Sequence, residues 1–372
     1  MEKVAKEIVL TGGPCSGKTT AINYIAEKLR DKGFRVFVVQ EFATMLILAG
    51  VGNLNKLEER DPERYLKVEE QMLLMHLETR KRFNAIARIF NNEKSVILYD
   101  RGAMDVKAYM PEGYFEVLLE KNKLKLPDVM DAYDGVVHLV TTAIGAEEFY
   151  TLKNNKARRE NLEEARMADE KTRKAWFGHP HLRTSDNSSD FKFKLKRTLQ
   201  IICRLLGIPV PLEIERKFLL KRKPDFRNTY LKASQKVFIE QMYLKSKEEN
   251  EERRIRKRYQ EKMGSAYYQT FKESVPSIKR SEREEMISAL EFFQLQKLIL
   301  PGTSPVVKNR FCFMYKNQYF ELDQILSPKK MWLLEIELTE ENDKLELPPF
   351  LKIEKEVTGD KKYSNYEISK NN

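Results

Sequence analysis

The chain carries near its amino terminus the stretch Gly12-Gly13-Pro14-Cys15-Ser16-Gly17-Lys18-Thr19, followed by Thr20. The stretch fits the pattern G-x-x-x-x-G-K-[ST], in which glycines let backbone N–H groups curl around phosphate oxygens. It lies between an apolar segment and a helical pattern, as this chemistry requires. We therefore predict a nucleotide-binding loop, in which Lys18 contacts the β and γ phosphates and the Thr19 hydroxyl holds Mg²⁺.

Short apolar segments alternate with helical patterns on the carboxyl side of this loop. The predicted strands are Glu7–Thr11, Val36–Gln40, Ser95–Tyr99 and Val136–Val140. The predicted helices are Arg64–Phe90, where Met72, His76, Phe83 and Phe90 recur near helical spacing, Leu162–Phe177 and Phe191–Leu206. This alternation predicts an α/β domain with a doubly wound parallel sheet.

Two acidic residues belong with the loop because each ends a predicted strand. Asp100 can face the metal at the carboxyl edge of the sheet, and Glu41 can orient or deprotonate an attacking hydroxyl. With Lys18, they are our catalytic candidates. The alternatives are a helix N-cap for Asp100 and a solvated strand end for Glu41. Arg158, Arg159 and Arg166 either close over the phosphates or form a surface helix face.

Missing motifs narrow the class of nucleotide-binding protein. No Asp-Glu pair follows the third predicted strand, which argues against a motor-type ATPase. No Asn-Lys-x-Asp motif is found, since Asn55-Lys56-Leu57-Glu58 ends in the wrong acid, which argues against a switch GTPase. The choice between ATP and GTP stays open.

Composition sets the broad class. The chain has 372 residues, a length that favours two domains. Its formal net charge of +11 favours anionic partners. Its three cysteines, Cys15, Cys203 and Cys312, are odd in number and far apart, which rules out a disulfide framework and a zinc ribbon. No signal peptide and no apolar run long enough to span a bilayer is found, so we expect a cytoplasmic protein.

The pattern changes to period two after Ile208-Pro209-Val210-Pro211, which cannot continue a helix. We therefore predict a first domain at 1–207, a linker at 208–211 and a second domain at 212–372. The strands predicted in the second domain are Leu212–Leu220, Glu252–Arg258, Tyr267–Lys272, Lys279–Met286, Val306–Phe313, Gln318–Gln324 and Trp332–Leu338. These strands predict an antiparallel sheet or barrel.

Charged residues share one face of each of these strands. The sets are Glu213, Glu215 and Lys217; Arg254 and Arg256; Arg280, Glu282 and Glu284; Lys308 and Arg310; Glu321 and Asp323; and Glu335 and Glu337. One interpretation is a solvated face with cross-strand ion pairs, each worth about 0.2–1 kcal/mol. The other, which we favour, is a closed barrel whose interior holds Mg²⁺ or Mn²⁺ on carboxylates and polyphosphate on cations.

The first half resembles the P-loop domain of NadR-type ribosylnicotinamide kinases and TRPL-translocation-defect proteins. The resemblance spans residues 5–207 and rests on Thr11–Thr20, Glu41-Phe42-Ala43, Asp100-Arg101-Gly102 and Trp176-Phe177-Gly178-His179-Pro180-His181. We interpret His179 and His181 as structural, because further metal ligands at suitable spacing are lacking.

The second half resembles the CYTH domain, the triphosphate tunnel metalloenzyme fold, in which Glu213-x-Glu215-x-Lys217 is the signature. The metal-ligand candidates are Glu213, Glu215, Glu282, Glu284, Asp323, Glu335 and Glu337. The resemblance implies that phosphate is bound by Lys217, Arg254, Arg256, Lys272, Lys308 and Arg310. Thr270-Phe271-Lys272 follows in the order of that family.

Two functions are consistent with this architecture. The first is Mg²⁺-dependent phosphoryl transfer or triphosphate hydrolysis, with ATP or GTP in the loop and triphosphate or polyphosphate in the tunnel. The alternative is a regulatory protein in membrane trafficking that binds GTP and a phosphoinositide surface, peripheral at membranes and without turnover in the tunnel. The basic run Arg253–Arg258 also suggests nucleic acid, but strand alternation and the lack of interleaved aromatics argue against that partner.

Overall fold

The computed structural model describes residues 5–90, 93–150, 161–188, 190–208, 214–246, 251–275, 278–316, 318–338 and 344–370. For 149, 214, 273–275 and 278–283 it describes the backbone alone. The chain divides into two compact units, Met1–Leu205 and Leu206–Asn372. Most of the predicted linker, 209–211, lies outside the described residues.

The first unit alternates strands and helices. Its strands are β1 Ala5–Thr11, β2 Arg35–Val39, β3 Ser95–Asp100, β4 Gly135–Leu139 and β5 Leu182–Ser185. Its helices are α1 Lys18–Asp31, α2 Phe42–Leu46, α3 Leu54–Arg60, α4 Pro62–Ile89, α5 Tyr114–Lys121, α6 Leu126–Val129, α7 Leu162–Ala175 and α8 Phe191–Leu205. A π-helical segment spans Ile47–Val51, and 3₁₀ segments span Ala103–Tyr109 and Glu147–Phe149.

These strands form a parallel sheet in the order β2-β3-β1-β4-β5, which confirms the predicted α/β class. Every residue of β3 and β4 is buried, which explains why both strands are mostly apolar. We did not predict β5, because Leu182-Arg183-Thr184-Ser185 is a short edge strand with one apolar residue. Parallel pairing brings the carboxyl ends of β1 and β3 together, with Leu10 opposite Asp100.

Capping residues explain where the long helices begin. The Asp61 side chain accepts a hydrogen bond from the backbone N–H of Arg64, and Pro62 occupies the first turn, so α4 starts two residues before the predicted position. Helix α7 begins with a capping box in which Asn161 and Glu164 bond to each other's backbone. No described helix is long and apolar enough to cross a membrane.

The second unit is built from antiparallel strands. They are β6 Ile214–Leu220, β7 Gln235–Leu244, β8 Glu251–Gln260, β9 Gly264–Val275, β10 Ile278–Ile287, β11 Val306–Tyr315, β12 Gln318–Ser327, β13 Met331–Leu338 and β14 Ile353–Glu356. Its helices are α9 Thr229–Lys232, α10 Ala289–Leu295 and α11 Asn365–Ser369, with 3₁₀ segments at Gln296–Leu298 and Lys361–Tyr363.

The described strands pair in the order β10-β9-β8-β7-β11-β12-β13-β6-β14. This confirms the predicted antiparallel sheet and adds two strands, β7 and β14. Alternation is hidden in β7, because its last four residues, Gln241–Leu244, are all buried. In β14 three of four residues are exposed and charged, so nothing in its pattern predicts a strand.

One face of this sheet carries the apolar core. Phe218, Leu322, Leu334 and Ile336 belong to one buried cluster, together with Leu220, Leu231, Phe313, Phe320, Leu338 and Leu351. Ile255 lies in a second cluster with Met242, Leu244 and Phe292. Because side chains alternate along a strand, burying these residues directs the intervening charged residues to the opposite face.

Candidate phosphate-binding sites

The glycine-rich stretch forms the loop between β1 and α1, which is the context that the sequence predicted. Gly12 has φ +147°, and a Cβ there would lie 2.1 Å from the carbonyl oxygen of Leu139. Only glycine fits this position, because both the backbone conformation and the neighbouring strand end exclude a side chain. The loop therefore passes directly over the carboxyl end of β4.

Lys18 is buried and lies across the loop. Its Nζ donates to the carbonyl oxygens of Gly12 at 3.0 Å and Gly13 at 3.2 Å, and to Ser16 Oγ at 3.2 Å. Thr19 and Thr20 are exposed on the first turn of α1. The ammonium group thus sits where the loop and the positive end of the helix meet.

Asp100 lies at the carboxyl end of β3 and is 6% exposed. Its Oδ1 is buried and has no hydrogen-bond partner among the described residues. Burial raises the pKa of Asp100, while the charge of Lys18 opposes this rise. Asp100 is therefore close enough to Lys18 to be affected by its charge, and it presents an oxygen that the described residues leave without a hydrogen bond.

Glu41 follows β2 and is held by two partners. It accepts hydrogen bonds of 2.6 Å from Arg101 Nε and from Thr44 Oγ1. Burial alone would raise the pKa of Glu41, but the charges of Arg101 and Lys18 lower it to about 2. Glu41 is consequently ionised at neutral pH and fixed by a salt bridge.

The structure thus brings Lys18, Glu41 and Asp100 to one edge of the first sheet. Arg158 and Arg159 lie outside the described residues. Arg166, on α7, donates to the carbonyl oxygen of Ala143 at 2.6 Å and to Glu147 at 3.0 Å. His179 contacts backbone groups, with its Nε2 3.0 Å from the carbonyl oxygen of Tyr133.

A buried carboxylate that no sequence motif marks supports the loop. Asp169 Oδ1 accepts hydrogen bonds of 2.9 Å from the backbone N–H groups of Gly13 and Thr141, and its Oδ2 lies 3.0 Å from His138 Nε2. Burial alone would raise the pKa of Asp169, but interaction with His138 and Arg173 and the Gly13 hydrogen bond hold it below its usual value.

A buried lysine supports the loop from another helix. Lys194 Nζ on α8 donates to the carbonyl oxygens of Val140 at 2.6 Å and Ser16 at 3.2 Å, and to Asn187 Oδ1 at 2.7 Å. Burial lowers the pKa of Lys194 to about 8. Neither Asp169 nor Lys194 belongs to a motif, so only their contacts reveal them.

In the second unit, Arg310 is the centre of a charged cluster on β6, β11, β12 and β13. Its guanidinium donates to Asp323 at 2.7 Å, to Glu335 at 2.6 Å and to Glu321. Lys308 pairs with Asp323 as well. Glu321 was not among our metal-ligand candidates, although it shares a strand face with Asp323.

Lys217 joins the same cluster from β6. Its Nζ lies 2.9 Å from Glu335 and 3.4 Å from Glu215. Burial and the carboxylate of Glu335 raise the pKa of Glu215. Three cations therefore share four carboxyl groups, counting Glu321 and Asp323, and the described charges nearly balance.

Burial distinguishes the two interpretations of the charged face. Asp323 is 0%, Lys308 3% and Glu335 6% exposed. Val237 and Ile239 of β7 pair directly with Arg310 and Lys308, so they share that face, and both are buried. For these residues the solvated-face alternative does not hold, whereas an enclosed interior explains the burial.

Four further candidates, Arg254, Arg256, Lys272 and Glu284, lie on β8, β9 and β10, across β7 from this cluster. Arg256 donates to both oxygens of Glu284 at 2.8 and 2.7 Å, and Thr270 donates to Glu284 at 3.0 Å. The Tyr243 hydroxyl accepts a 2.8 Å hydrogen bond from Gln241 Nε2 and interacts with Arg254. Lys272 is half-buried and Glu337 is exposed, while Glu213 and the Glu282 side chain lie outside the description.

The first unit is thus a P-loop α/β domain, and the second a charged antiparallel β domain. Residues 7–194 match the family model described as AAA domain, which covers just over half of the chain, and the chain belongs to that family. Residues 211–361 match the CYTH domain model. The chain therefore joins an AAA-type P-loop domain to a segment that matches the CYTH domain model, while the finer resemblance to TRPL-translocation-defect proteins stays a prediction.

Solved structures give matches of partial coverage. The inorganic triphosphatase NE1496 is 30% identical, over 42% of this chain and 94% of its own, with a TM-score of 0.31. The PH1012 protein from Pyrococcus horikoshii OT3 is 21% identical, over 35% of this chain and 80% of its own, with a TM-score of 0.25. The search of curated proteins found no match.

Proposed function

We propose that the P-loop domain binds ATP or GTP with Mg²⁺ or Mn²⁺ and that the CYTH domain binds and hydrolyses a triphosphate. The observation that carries the second part is the buried cluster around Arg310, in which cations and carboxylates alternate on one enclosed face. Burying so many charges costs free energy of folding even when they are paired, and a role in binding a charged ligand accounts for their presence. Phosphate oxygens for the cations and divalent ions for the carboxylates meet that requirement together.

In the P-loop domain, backbone N–H groups of the loop and the Lys18 ammonium would hold the phosphates. Lys18 now bonds the carbonyl oxygens of Gly12 and Gly13, so it would exchange these partners for phosphate oxygens. This places a fixed positive charge where negative charge gathers as the γ-phosphoryl group transfers.

A divalent ion fits the P-loop site. The unpaired, buried Oδ1 of Asp100 is a hard oxygen ligand, and the Thr19 hydroxyl can supply another. Among the residues that the structure describes, no three His, Cys, Asp or Glu side chains could hold a metal alone. This agrees with Mg²⁺, which takes its remaining ligands from phosphate and water. When bound, the ion would neutralise charge on the phosphates.

A divalent ion also fits the donor set of the second domain, which is all oxygen. Four carboxyl groups lie among three cations there, so the cluster offers oxygen ligands for a divalent ion as well as cations for phosphate. Glu215 and Glu335 would hold the ion and Lys217, Lys308 and Arg310 the phosphates. This balance favours metal-dependent turnover over the metal-free binding of an anionic lipid surface.

Phosphate release from tripolyphosphate, ATP and GTP, with Mg²⁺ or Mn²⁺, tests this proposal on the full chain. A Lys18→Ala background removes turnover by the P-loop, so remaining activity belongs to the second domain. Glu335→Gln should abolish this metal-dependent release, because an amide holds a divalent ion poorly. Glu346→Gln, an exposed partner of Lys316, is the matched control.

Three results would contradict parts of the proposal. Equal release by Glu335→Gln and wild type would refute the metal assignment. No release with any metal, together with binding to phosphoinositide vesicles, would favour the regulatory alternative. Absence of ATP and GTP binding in wild type would refute the P-loop assignment.

A further inference from the structure

Lys194 of α8 is a buried lysine that lies outside the nucleotide-binding motif. Only 1% of its surface is exposed. Its Nζ donates hydrogen bonds to the carbonyl oxygens of Val140 and Ser16 and to Asn187 Oδ1, at 2.6, 3.2 and 2.7 Å. A lysine ammonium group carries three N–H donors, whereas a neutral amine carries only two. The three acceptors are therefore all satisfied by the charged form of Lys194 alone.

Ser16 of the P-loop connects Lys194 to Lys18. Its backbone carbonyl oxygen accepts the hydrogen bond from Lys194, and its Oγ accepts one from Lys18 Nζ at 3.2 Å. Ser16 is itself 1% exposed, so both contacts are shielded from water. The two ammonium groups thus hold the same residue of the loop, one through its backbone and the other through its side chain.

Asn187 provides a second connection between Lys194 and the loop. Its Nδ2 donates to the carbonyl oxygen of Thr141 at 2.8 Å, and Thr141 Oγ1 donates in turn to the carbonyl oxygen of Pro14. Lys194 therefore reaches the loop by two routes, directly at Ser16 and through Asn187 and Thr141. A change in the hydrogen bonding of Lys194 should alter the loop through both.

The charges that face Lys194 come from α1, from α7 and from the segment after β5. Burial and the charge of Lys18 lower the pKa of Lys194 to about 8, although Asp169 and Asp186 favour its charged form. Both carboxylates are shared with further basic side chains, namely His138 and Arg173 at Asp169, and Arg197 at Asp186. The free protein therefore holds a mixture of charged and neutral Lys194 near pH 8.

Bound nucleotide phosphates favour the charged form of this amine. Phosphate groups have a second pKa of about 6, so they are ionised at pH 8 and take up no proton themselves. An opposite charge raises the pKa of a nearby amine, and water and salt screen that effect little at a buried site. A nucleotide in the loop should therefore raise the pKa of Lys194 above its value in the free protein.

We propose that Lys194 is a positioning residue of the nucleotide site and that its amine takes up a proton from the buffer when the phosphates bind. The inference rests on the proposed nucleotide site and adds a proton to its binding equilibrium. Charged Lys194 holds Ser16 and Asn187 together, whereas the neutral amine leaves one of its three acceptors without a donor. Nucleotide affinity therefore falls as pH rises through 8, where Lys194 of the free protein loses its charge.

Titration calorimetry of the full chain with the β,γ-imido analogues of ATP and GTP and Mg²⁺ tests this inference. Binding enthalpies at one pH in HEPES and in Tris, which differ in enthalpy of ionisation, give the number of protons taken up. For a rise of about one pKa unit on binding, we expect uptake of about 0.4 proton at pH 8 and nearly none at pH 6.5. The same rise should weaken affinity by about five- to ten-fold between pH 7 and pH 9.5.

Two substitutions of Lys194 assign the proton to this residue. Lys194→Met removes the titrating group, so it should weaken nucleotide binding at pH 7 and take up no proton at pH 8. Lys194→Arg stays charged at every pH used, so its affinity should change by less than about three-fold between pH 7 and pH 9.5. Exposed Lys192→Met, on the same helix, is the matched control and should keep the proton uptake of wild type.

A milder substitution serves if neither Lys194 variant folds. Asp186→Asn removes a carboxylate that favours charged Lys194 and that lies at the surface in part. The pH at which proton uptake is greatest should then move downwards. An unchanged maximum would overturn the assignment to Lys194.

The outcomes separate this inference from the proposed nucleotide site. Equal proton uptake by Lys194→Met and wild type would overturn the inference, and so would nucleotide binding without proton uptake at pH 8. In both cases the nucleotide site itself stands. If wild type binds neither analogue at any pH, the fault lies in the proposed function.

Discussion

The carboxylate of Asp169 accepts a 2.9 Å hydrogen bond from the backbone N–H of Gly13, although the two residues are far apart in the sequence. A Cβ at Gly13 would lie 2.8 Å from the Cβ of Asp169, so the loop and α7 are in direct contact. The second residue of the P-loop must be small for this reason. Helix α7 thereby becomes part of the support of the phosphate-binding loop.

Asp169→Asn should destabilise the first domain by about 2 kcal/mol, since a buried charged acceptor of several hydrogen bonds is replaced by a neutral one. Urea unfolding followed by the fluorescence of Trp176, in a Trp332→Phe background, measures this change. Exposed Glu170→Gln, one residue along α7, is the control and should behave as wild type. Unchanged stability in Asp169→Asn would show that the buried contact contributes little.

The stability of the same domain should also depend on pH through Asp169. Its pKa is lowered in the folded protein, so the stabilisation is complete above the unfolded value of about 3.9 and is lost as pH falls below it. The difference in unfolding free energy between wild type and Asp169→Asn should therefore shrink between pH 5 and pH 3. A constant difference over that range would contradict an ionised Asp169.

Lys18→Ala should abolish nucleotide binding by the P-loop domain, because it removes the one loop side chain placed to neutralise phosphate charge. Titration calorimetry with ATP and GTP measures the affinity, and Trp332 fluorescence in a Trp176→Phe background reports that the second domain remains folded. Exposed Lys28→Ala, on the same helix, should bind normally. Normal affinity in Lys18→Ala would refute the loop assignment.

Asp100→Asn should reduce turnover by at least ten-fold while changing nucleotide affinity much less. In the proposed function, Oδ1, which has no partner among the described residues, would face the metal and the transferring phosphoryl group, and that interaction would strengthen in the transition state. Parallel measurement of kcat and of affinity separates the two effects. Equal turnover in the variant would leave Asp100 with a purely structural role, such as the cap considered above.

Arg310→Ala should destabilise the second domain by about 3–5 kcal/mol, because it leaves Asp323, Glu321 and Glu335 buried with too few cations. Unfolding followed through Trp332 in a Trp176→Phe background measures this loss. Exposed Arg227→Ala, which breaks only the surface pair with Asp225, should leave stability unchanged. Equal stability of both variants would mean that the cluster is open to water.

The parts of the site that follow strand ends and loop motifs were predictable from sequence. Asp100 and Glu41 were found because parallel strands bring their carboxyl ends to one edge. Asp169 and Lys194 were not predicted, because each contacts backbone groups that are far away in the sequence. The sequences of α7 and α8 also do not indicate which of their charged residues are buried.

Among the strands of the second domain, some were likewise predictable from sequence and others were not. The alternation of apolar and charged residues predicted β6, β8 and β11 to β13, in which one face is apolar and the other is charged. Strand β7 was not predicted because both of its faces are buried at its end. Strand β14 was not predicted because it is an edge strand with three charged residues out of four. Burial of the charged face could not be predicted from sequence, because charged and apolar residues alternate in the same way in a solvated sheet and in a closed tunnel.

The order of strands in the first sheet also affects synthesis on the ribosome. β1 is the central strand and the first to be made, but its neighbours β3 and β4 begin only at Ser95 and Gly135. At about 5–20 residues per second, an apolar strand waits several seconds for a partner. During that interval Ile8, Val9 and Leu10 are exposed to other nascent chains, so production of this protein should benefit from chaperones that bind short apolar segments.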